Sequence, residues 1–145
     1  MESLGAERVE LEGPDLSRRV RESLPRGIDA ALDLVGNTTL LDSLGTLRRG
    51  GRLCLAGFLG GLAPVSSFNA LMQLPSGVQF SFFGSFVFGT PEFPLSDVPL
   101  QTIIHRVAGG VYRAKPARVF HFEQIQEAHR MDSNQANGKI VVTVT

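Results

Sequence analysis

Gly27-Ile28-Asp29-Ala30-Ala31-Leu32-Asp33-Leu34-Val35-Gly36 is an apolar run broken only by two aspartates and bracketed by glycines. It is too short for an ordinary amphipathic helix and does not alternate strictly, so it reads as a buried strand of the parallel kind. Arg52-Leu53-Cys54-Leu55-Ala56-Gly57 has the same texture and the same terminal glycine. Between them Leu40, Leu41, Leu44 and Leu47 share one helical face. Asn37 or Thr38 is placed to cap that helix, and Arg48-Arg49-Gly50-Gly51 to close it, with cations in its last turn suiting the helix dipole. Strand, helix and strand in this order predict a βαβ unit with a right-handed crossover.

The alternation continues on either side. Residues 7–12 set Val9 and Leu11 against charged neighbours and read as a short strand with one wet face, ended by Gly13-Pro14. From Asp15, Leu16, Val20 and Leu24 recur every four positions until Pro25 and Gly27, which predicts an amphipathic helix with its arginines facing water. Downstream, residues 66–74 read as a shorter helix ended by Pro75. Residues 78–85 read as an aromatic-rich strand whose Phe80, Phe82 and Phe83 serve core and edge packing. The expected product is a parallel sheet covered on both faces.

After Thr90 the texture changes, with Pro91, Pro94 and Pro99 leading into a helix around Ile103, Ile104 and Val107 that Gly109-Gly110 closes. A strand over 118–122, a helix over 123–131 with Ile125 and Ala128 inward, and a last strand over 139–144 complete the reading.

Composition narrows the function. In 145 residues, 14 basic side chains balance 14 acidic ones, and basic residues gather only at Arg18, Arg19 and Arg21, so nucleic acid and anionic membrane are poor partners. No apolar run approaches the ~20 residues that span a bilayer, and Met1-Glu2-Ser3-Leu4-Gly5 is not a secretory leader, so the expected location is the cytoplasm. A chain of this length buries about 70% of its unfolded surface, enough for one compact unit without staples. Cys54 has no disulfide partner and the three histidines lack zinc spacing.

No G-x-G-x-x-G, P-loop, H-E-x-x-H, G-x-S-x-G or C-x-x-C pattern is present, so residue chemistry leads only to an α/β ligand-binding platform. In such sheets ligands lie beyond the carboxyl ends of the strands. Val35-Gly36-Asn37 and Ala56-Gly57-Phe58 are the two turns that qualify, because a missing side chain lets a ligand approach the backbone. Cys54 reads as a small core residue, and His105, His129 and Tyr112 receive no catalytic role.

Five pieces then stand in a telling order: Leu4-Gly5-Ala6-Glu7, the run from Gly27 to Gly36, Leu47-Arg48-Arg49-Gly50-Gly51-Arg52-Leu53 continuing to Gly57, Glu127-Ala128-His129, and Gly138-Lys139-Ile140-Val141-Val142. Together they resemble the medium-chain dehydrogenase/reductase superfamily in its zinc-free quinone oxidoreductase branch. The resemblance implies an α/β fold: a partial Rossmann-type parallel sheet with flanking helices, plus C-terminal elements of the companion GroES-like domain. Residues 1–110 would be the C-terminal half of the cofactor domain and 111–145 the terminal segment of the companion. It implies NADP as cofactor, with NAD as the alternative, the reduced form (NADPH or NADH) transferring hydride to a quinone, enone or related carbonyl, without zinc. Val35 and Gly36 would lie near the cofactor ribose, and Ala56, Gly57 and Phe58 near the nicotinamide. Gly84 and Ser85 would stand at the mouth of the following strand, with Asn137 and Lys139 closing from the companion domain. No catalytic residue is assigned.

In the family's strand order 3-2-1-4-5-6 this chain would supply strands 3, 4, 5 and 6. The glycine-rich phosphate turn, the strand that selects NADP from NAD and nearly all of the catalytic domain would lie upstream. Residues 7–12 would then lack both neighbours and be mobile or re-paired. Implied partners are a second copy joined through the sheet edge, or the missing N-terminal half. A reading of another class is a non-catalytic interaction module that captures a partner on its exposed sheet edge. A third is a truncated product without function.

Overall fold

The computed structural model describes residues 5–113, 115–131 and 138–144. The chain falls into two compact units, one ending at Thr90 and the other beginning at Pro91, in place of the single unit expected from length. The divide coincides with the first of the three prolines that change the texture of the sequence. The helix α4 (Leu100–Ala108), which precedes the sequence boundary at 110, belongs to the second unit.

The first unit contains α1 (Leu16–Ser23), β1 (Ile28–Asp33), α2 (Leu40–Thr46), β2 (Leu47–Leu55), α3 (Ala70–Gln73) and β3 (Gln79–Phe82). The strands form one parallel sheet in the order β1-β2-β3. Ala31 pairs with Leu53 and Leu53 with Phe80, so these three share one face. Leu32, Cys54 and Ser81 share the other. Leu40 and Leu44, one turn apart on α2, bury themselves with Leu47 and Leu53 on the first face, flanked by Ile28, Ala31, Leu41, Val65, Leu74 and Val78.

Polar ties hold α1 against α2. Asp15 occupies the N-cap position of α1 in a left-handed conformation and its side chain makes no capping bond. Asp42 of α2 does that work instead, accepting from the Leu16 N–H (3.0 Å), the Ser17 N–H (3.2 Å) and the Ser17 hydroxyl (2.7 Å). Arg21 donates to the Gly45 and Leu47 carbonyls at 3.0 and 2.5 Å, and Arg19 to those of Pro14 and Leu11. The expectation that the arginines of this helix face water therefore holds for Arg18, paired with Glu22, and fails for the other two. Arg21 reaches carbonyls at the C-terminal end of α2, where a guanidinium is better satisfied than in solvent, and Arg19 those of the segment before α1.

Four further expectations are corrected. Residues 7–12 form no strand, because a strand needs a neighbour's amides and the ladder stops at β1. The helix α2 ends at Thr46, so Arg48 and Arg49 lie in β2 and not in its last turn. Ile28 pairs with Leu47 but Ala30 with Arg52, so residues 48–51 bulge from the ladder and absorb what read as a helix terminus. The segment 66–74 is helical over only four residues, and β3 is exposed along its length. Leu32 and Ser81 are also exposed, so the sheet is not covered on both faces: one is open at these residues and the other is covered over β1 and β2 but not over β3.

The second unit holds α4, β4 (Arg118–His121), α5 (Ile125–Arg130) and β5 (Ile140–Thr143). The strands β4 and β5 pair in parallel, with Phe120 opposite Val142, and Phe120 and Ala128 are buried. The expected helix over 123–131 opens with a 3₁₀ turn, Phe122–Gln124, before α5 begins. Among the described residues no helix is long and apolar enough to cross a membrane.

Candidate functional site

The parallel sheet sends the chain out of β1, β2 and β3 at one end, where backbone amides and carbonyls leave the ladder. Four of the sequence-derived site residues flank the break after β1 and β2: Val35 and Gly36 on one turn, Gly57 and Phe58 on the other, with Ala56 at the base of the second. The turns are bonded to each other. The Asp33 carbonyl accepts from the Ala56 N–H at 2.8 Å, the Leu34 carbonyl from Leu59 at 3.3 Å, and the Val35 carbonyl from Gly60 at 2.8 Å. Asn37 adds a side-chain tie, donating from Nδ2 to the Ala63 carbonyl at 2.9 Å.

Glycine is required at both turns by this contact. Gly36 has φ of +97°, and a Cβ there would stand 2.9 Å from the Gly57 carbonyl oxygen. A Cβ on Gly57 would stand 2.1 Å from the Leu34 carbonyl oxygen. The space expected to admit a ligand to bare backbone is thus occupied at these two points by the opposite turn. The opening lies alongside: a cavity of about 400 Å³ lined by Gly36, Asn37, Gly57, Phe58, Phe82 and Phe86 among others. A smaller hollow of about 280 Å³ is walled by Leu34, Gly57, Phe58 and Leu59. Both are apolar and neither is lined by a basic side chain. Phe58, 64% exposed, borders both.

Gly84 and Ser85 follow β3 at the same end of the sheet, Ser85 opening a 3₁₀ turn that ends at Val87. Phe83 continues the ladder for one bond, its N–H donating to Leu55 at 2.9 Å. Lys139 lies exposed ahead of β5 in the second unit. Asn137 lies outside the described residues. Cys54 is a free, half-buried thiol on the sheet. Tyr112 accepts a hydrogen bond from Arg106 Nη1 at 2.7 Å, with the guanidinium over its ring.

One residue of the site was missed in the sequence. Asp33 ends β1, is 5% exposed, and accepts at Oδ1 from the Val35 and Gly36 N–H groups, both at 2.9 Å. The Thr39 hydroxyl lies 2.9 Å from each carboxylate oxygen, and the Ser43 hydroxyl donates to Oδ2 at 2.8 Å. Burial opposes ionisation, but the bonds from Gly36, Ser43, Thr39 and Val35 together outweigh it and hold this carboxyl below its ordinary range. Asp33, not Asn37 or Thr38, thereby joins the turn to the start of α2. A signal was available in Asp33-x-x-Gly36 followed by Thr39 and Ser43, hydroxyl residues four apart on one helical face.

Among the described residues no group of three or more His, Cys, Asp or Glu is placed to hold a metal ion.

A family model described as zinc-binding dehydrogenase matches residues 4–142. Quinone oxidoreductase-like protein 2 of Rattus norvegicus is 27% identical over 121 residues, which are 81% of this chain and 33% of that protein. The chain thus spans about a third of the length of this relative. Among solved structures it is similar in fold to an NAD-dependent alcohol dehydrogenase, with a TM-score of 0.70 at 23% identity over 99% of this chain and 40% of that one. It is likewise similar to the Escherichia coli quinone oxidoreductase complexed with NADPH, with a TM-score of 0.63 at 20% identity over 86% of this chain and 39% of that one.

Proposed function

The chain belongs to the zinc-binding dehydrogenase family, and on that premise we propose that it is the C-terminal portion of an NAD(P)H-dependent oxidoreductase that reduces a quinone, enone or related carbonyl. The observation that carries this reading is the pair of bonded turns at the carboxyl end of a parallel sheet, beside an apolar cavity of about 400 Å³. That volume and lining suit a flat ring, and cavities of roughly 300–1,000 Å³ with few polar groups are the usual small-molecule sites.

The fit to a nicotinamide cofactor is that of half a site. The turns at 35–36 and 56–58 offer apolar walls and rigid backbone, while the chain has no glycine-rich turn to receive a pyrophosphate. When bound, the cofactor would supply the hydride; the acceptor would take its proton from solvent. Val35 and Gly36 would border the ribose, Ala56, Gly57 and Phe58 the nicotinamide, and Gly84 and Ser85 the mouth of the cleft. Their work is to orient a ring, which is positioning and needs no acid or base from these residues. The described residues do not fit a zinc site, and no step is assigned to a metal. NADP is the preferred cofactor, and a reducing cytoplasm the preferred compartment on the strength of the single cysteine.

The test is a titration of the 145-residue chain with NADPH followed by cofactor fluorescence, which no tryptophan obscures. Saturable micromolar binding supports the reading. Absence of binding up to millimolar cofactor overturns it for this chain. That result would favour a non-catalytic interaction module, for which the supporting observation is the uncovered sheet face carrying Leu32.

A further inference from the structure

The buried carboxylate of Asp33 lines neither cavity, yet it holds the two peptides whose carbonyls bond the second turn. We propose that Asp33 is a positioning residue for cofactor binding: it sets the peptide planes of residues 34–36, and through them the lip that carries Phe58. The inference rests on the cofactor reading of the cleft and goes beyond it, since Asp33 lines neither cavity and acts only through the chain.

The argument follows the bonds. Asp33 Oδ1 accepts from the N–H two residues on and from the N–H three residues on, an Asx-type turn that fixes where both peptides point. Once those planes are fixed, the Leu34 and Val35 carbonyls face the second turn and accept from Leu59 and Gly60. The main-chain carbonyl of Asp33, which any substitution keeps, holds Ala56 at the base of the second turn, so the carboxylate governs the rim alone. Gly36 then sits against the Gly57 carbonyl, closer than any side chain allows. Thr39, at the N-cap position of α2, and Ser43, in its first turn, steady the carboxylate from behind. A change at Asp33 therefore displaces Gly57 and Phe58 without removing an atom from the cavity wall.

This role is geometric, and Asp33→Asn separates it from a role for charge. An asparagine Oδ1 keeps both backbone donors, and its Nδ2 can donate to the Ser43 hydroxyl, so the turn survives while the charge is lost. Asp33→Ala leaves the same donors without an acceptor. NADPH affinity is measured by fluorescence titration for the wild-type chain, both Asp33 variants and Leu44→Ala. The last variant weakens the core at a residue that lines neither cavity and makes no bond to Asp33, and it controls for stability, folded fractions being matched by temperature. Expected are a loss of about 10-fold or more in Asp33→Ala and no more than about 3-fold in Asp33→Asn and Leu44→Ala.

If Asp33→Ala does not fold, the double variant Thr39→Val, Ser43→Ala takes its place, with an expected loss of about 3-fold to 10-fold. Unchanged affinity in the variant that removes the anchor overturns the inference and leaves the cofactor reading intact. Equal losses in Asp33→Asn and Asp33→Ala also overturn it, because charge would then be what matters. If the wild-type chain binds no NADPH, the cofactor reading falls and this inference falls with it.

Discussion

Two strands of one sheet, β2 and β3, meet very different surroundings. On β2, Leu53 is buried beneath Leu40 and Leu44 of α2, and the strand end is bonded to the turn after β1. On β3, Phe80 and Phe82 occupy the same face as Leu53 and Leu55 but remain exposed, and the neighbouring α3 is a single turn of four residues, none of them buried. The two strands have similar apolar texture, so the difference lies in what reaches them. A seven-residue α2 spans enough length to lay two leucines across the sheet, and a four-residue α3 does not. The candidate site inherits this asymmetry. Its 35–36 and 56–58 lips are fixed by packing and hydrogen bonds, while the Gly84-Ser85 lip is tied through the Phe83 bond to Leu55 and a 3₁₀ turn.

The contrast is broken most directly by truncating one side chain in each region. Leu44→Ala should lower stability by about 2–5 kcal/mol, the cost of a cavity in a closed core. Phe82→Ala, at a residue 62% exposed, should cost less than about 1 kcal/mol. Urea midpoints measure both, and equal losses would mean that β3 is as well packed as β2. Next in size, Gly57→Ala forces a Cβ against the Leu34 carbonyl and should cost about 3 kcal/mol. Gly89→Ala has nothing within 4 Å and bears only the strain of a left-handed φ, about 1 kcal/mol by the same measurement.

The pH dependence sharpens the comparison at the turn. Asp33 has a folded-state pKa below its unfolded value, so the unfolded chain binds more protons as acid is added. Its stabilising contribution is full above the unfolded value of about 4 and is lost as pH falls through the lower folded value. Urea midpoints between roughly pH 3 and pH 6 should therefore fall more steeply toward acid for the wild type than for Asp33→Asn. Parallel curves would show that Asp33 carries no such linkage. The smallest effect belongs to α3, where Leu71→Ser, at a residue 94% exposed, should change stability by no more than about 0.5 kcal/mol in the same assay.

Much of this was legible in the chain itself. The apolar runs ending at Gly36 and Gly57, with leucines at helical spacing between them, specify β1, α2 and β2, because strand and helix periods are properties of neighbours along the backbone. The ordered pieces from Leu4 to Val142 pointed to the family, and the two glycine turns to the end of the sheet where the site is sought. Three things were decided only when the elements met. Whether residues 7–12 become a strand depends on a partner strand. Whether Phe80 and Phe82 are covered depends on the reach of α3. The role of Asp33 depends on a turn that brings hydroxyls six and ten residues away onto one carboxylate. Periodicity is written locally, whereas burial and hydrogen-bond partnership belong to whatever the fold brings within a few ångströms.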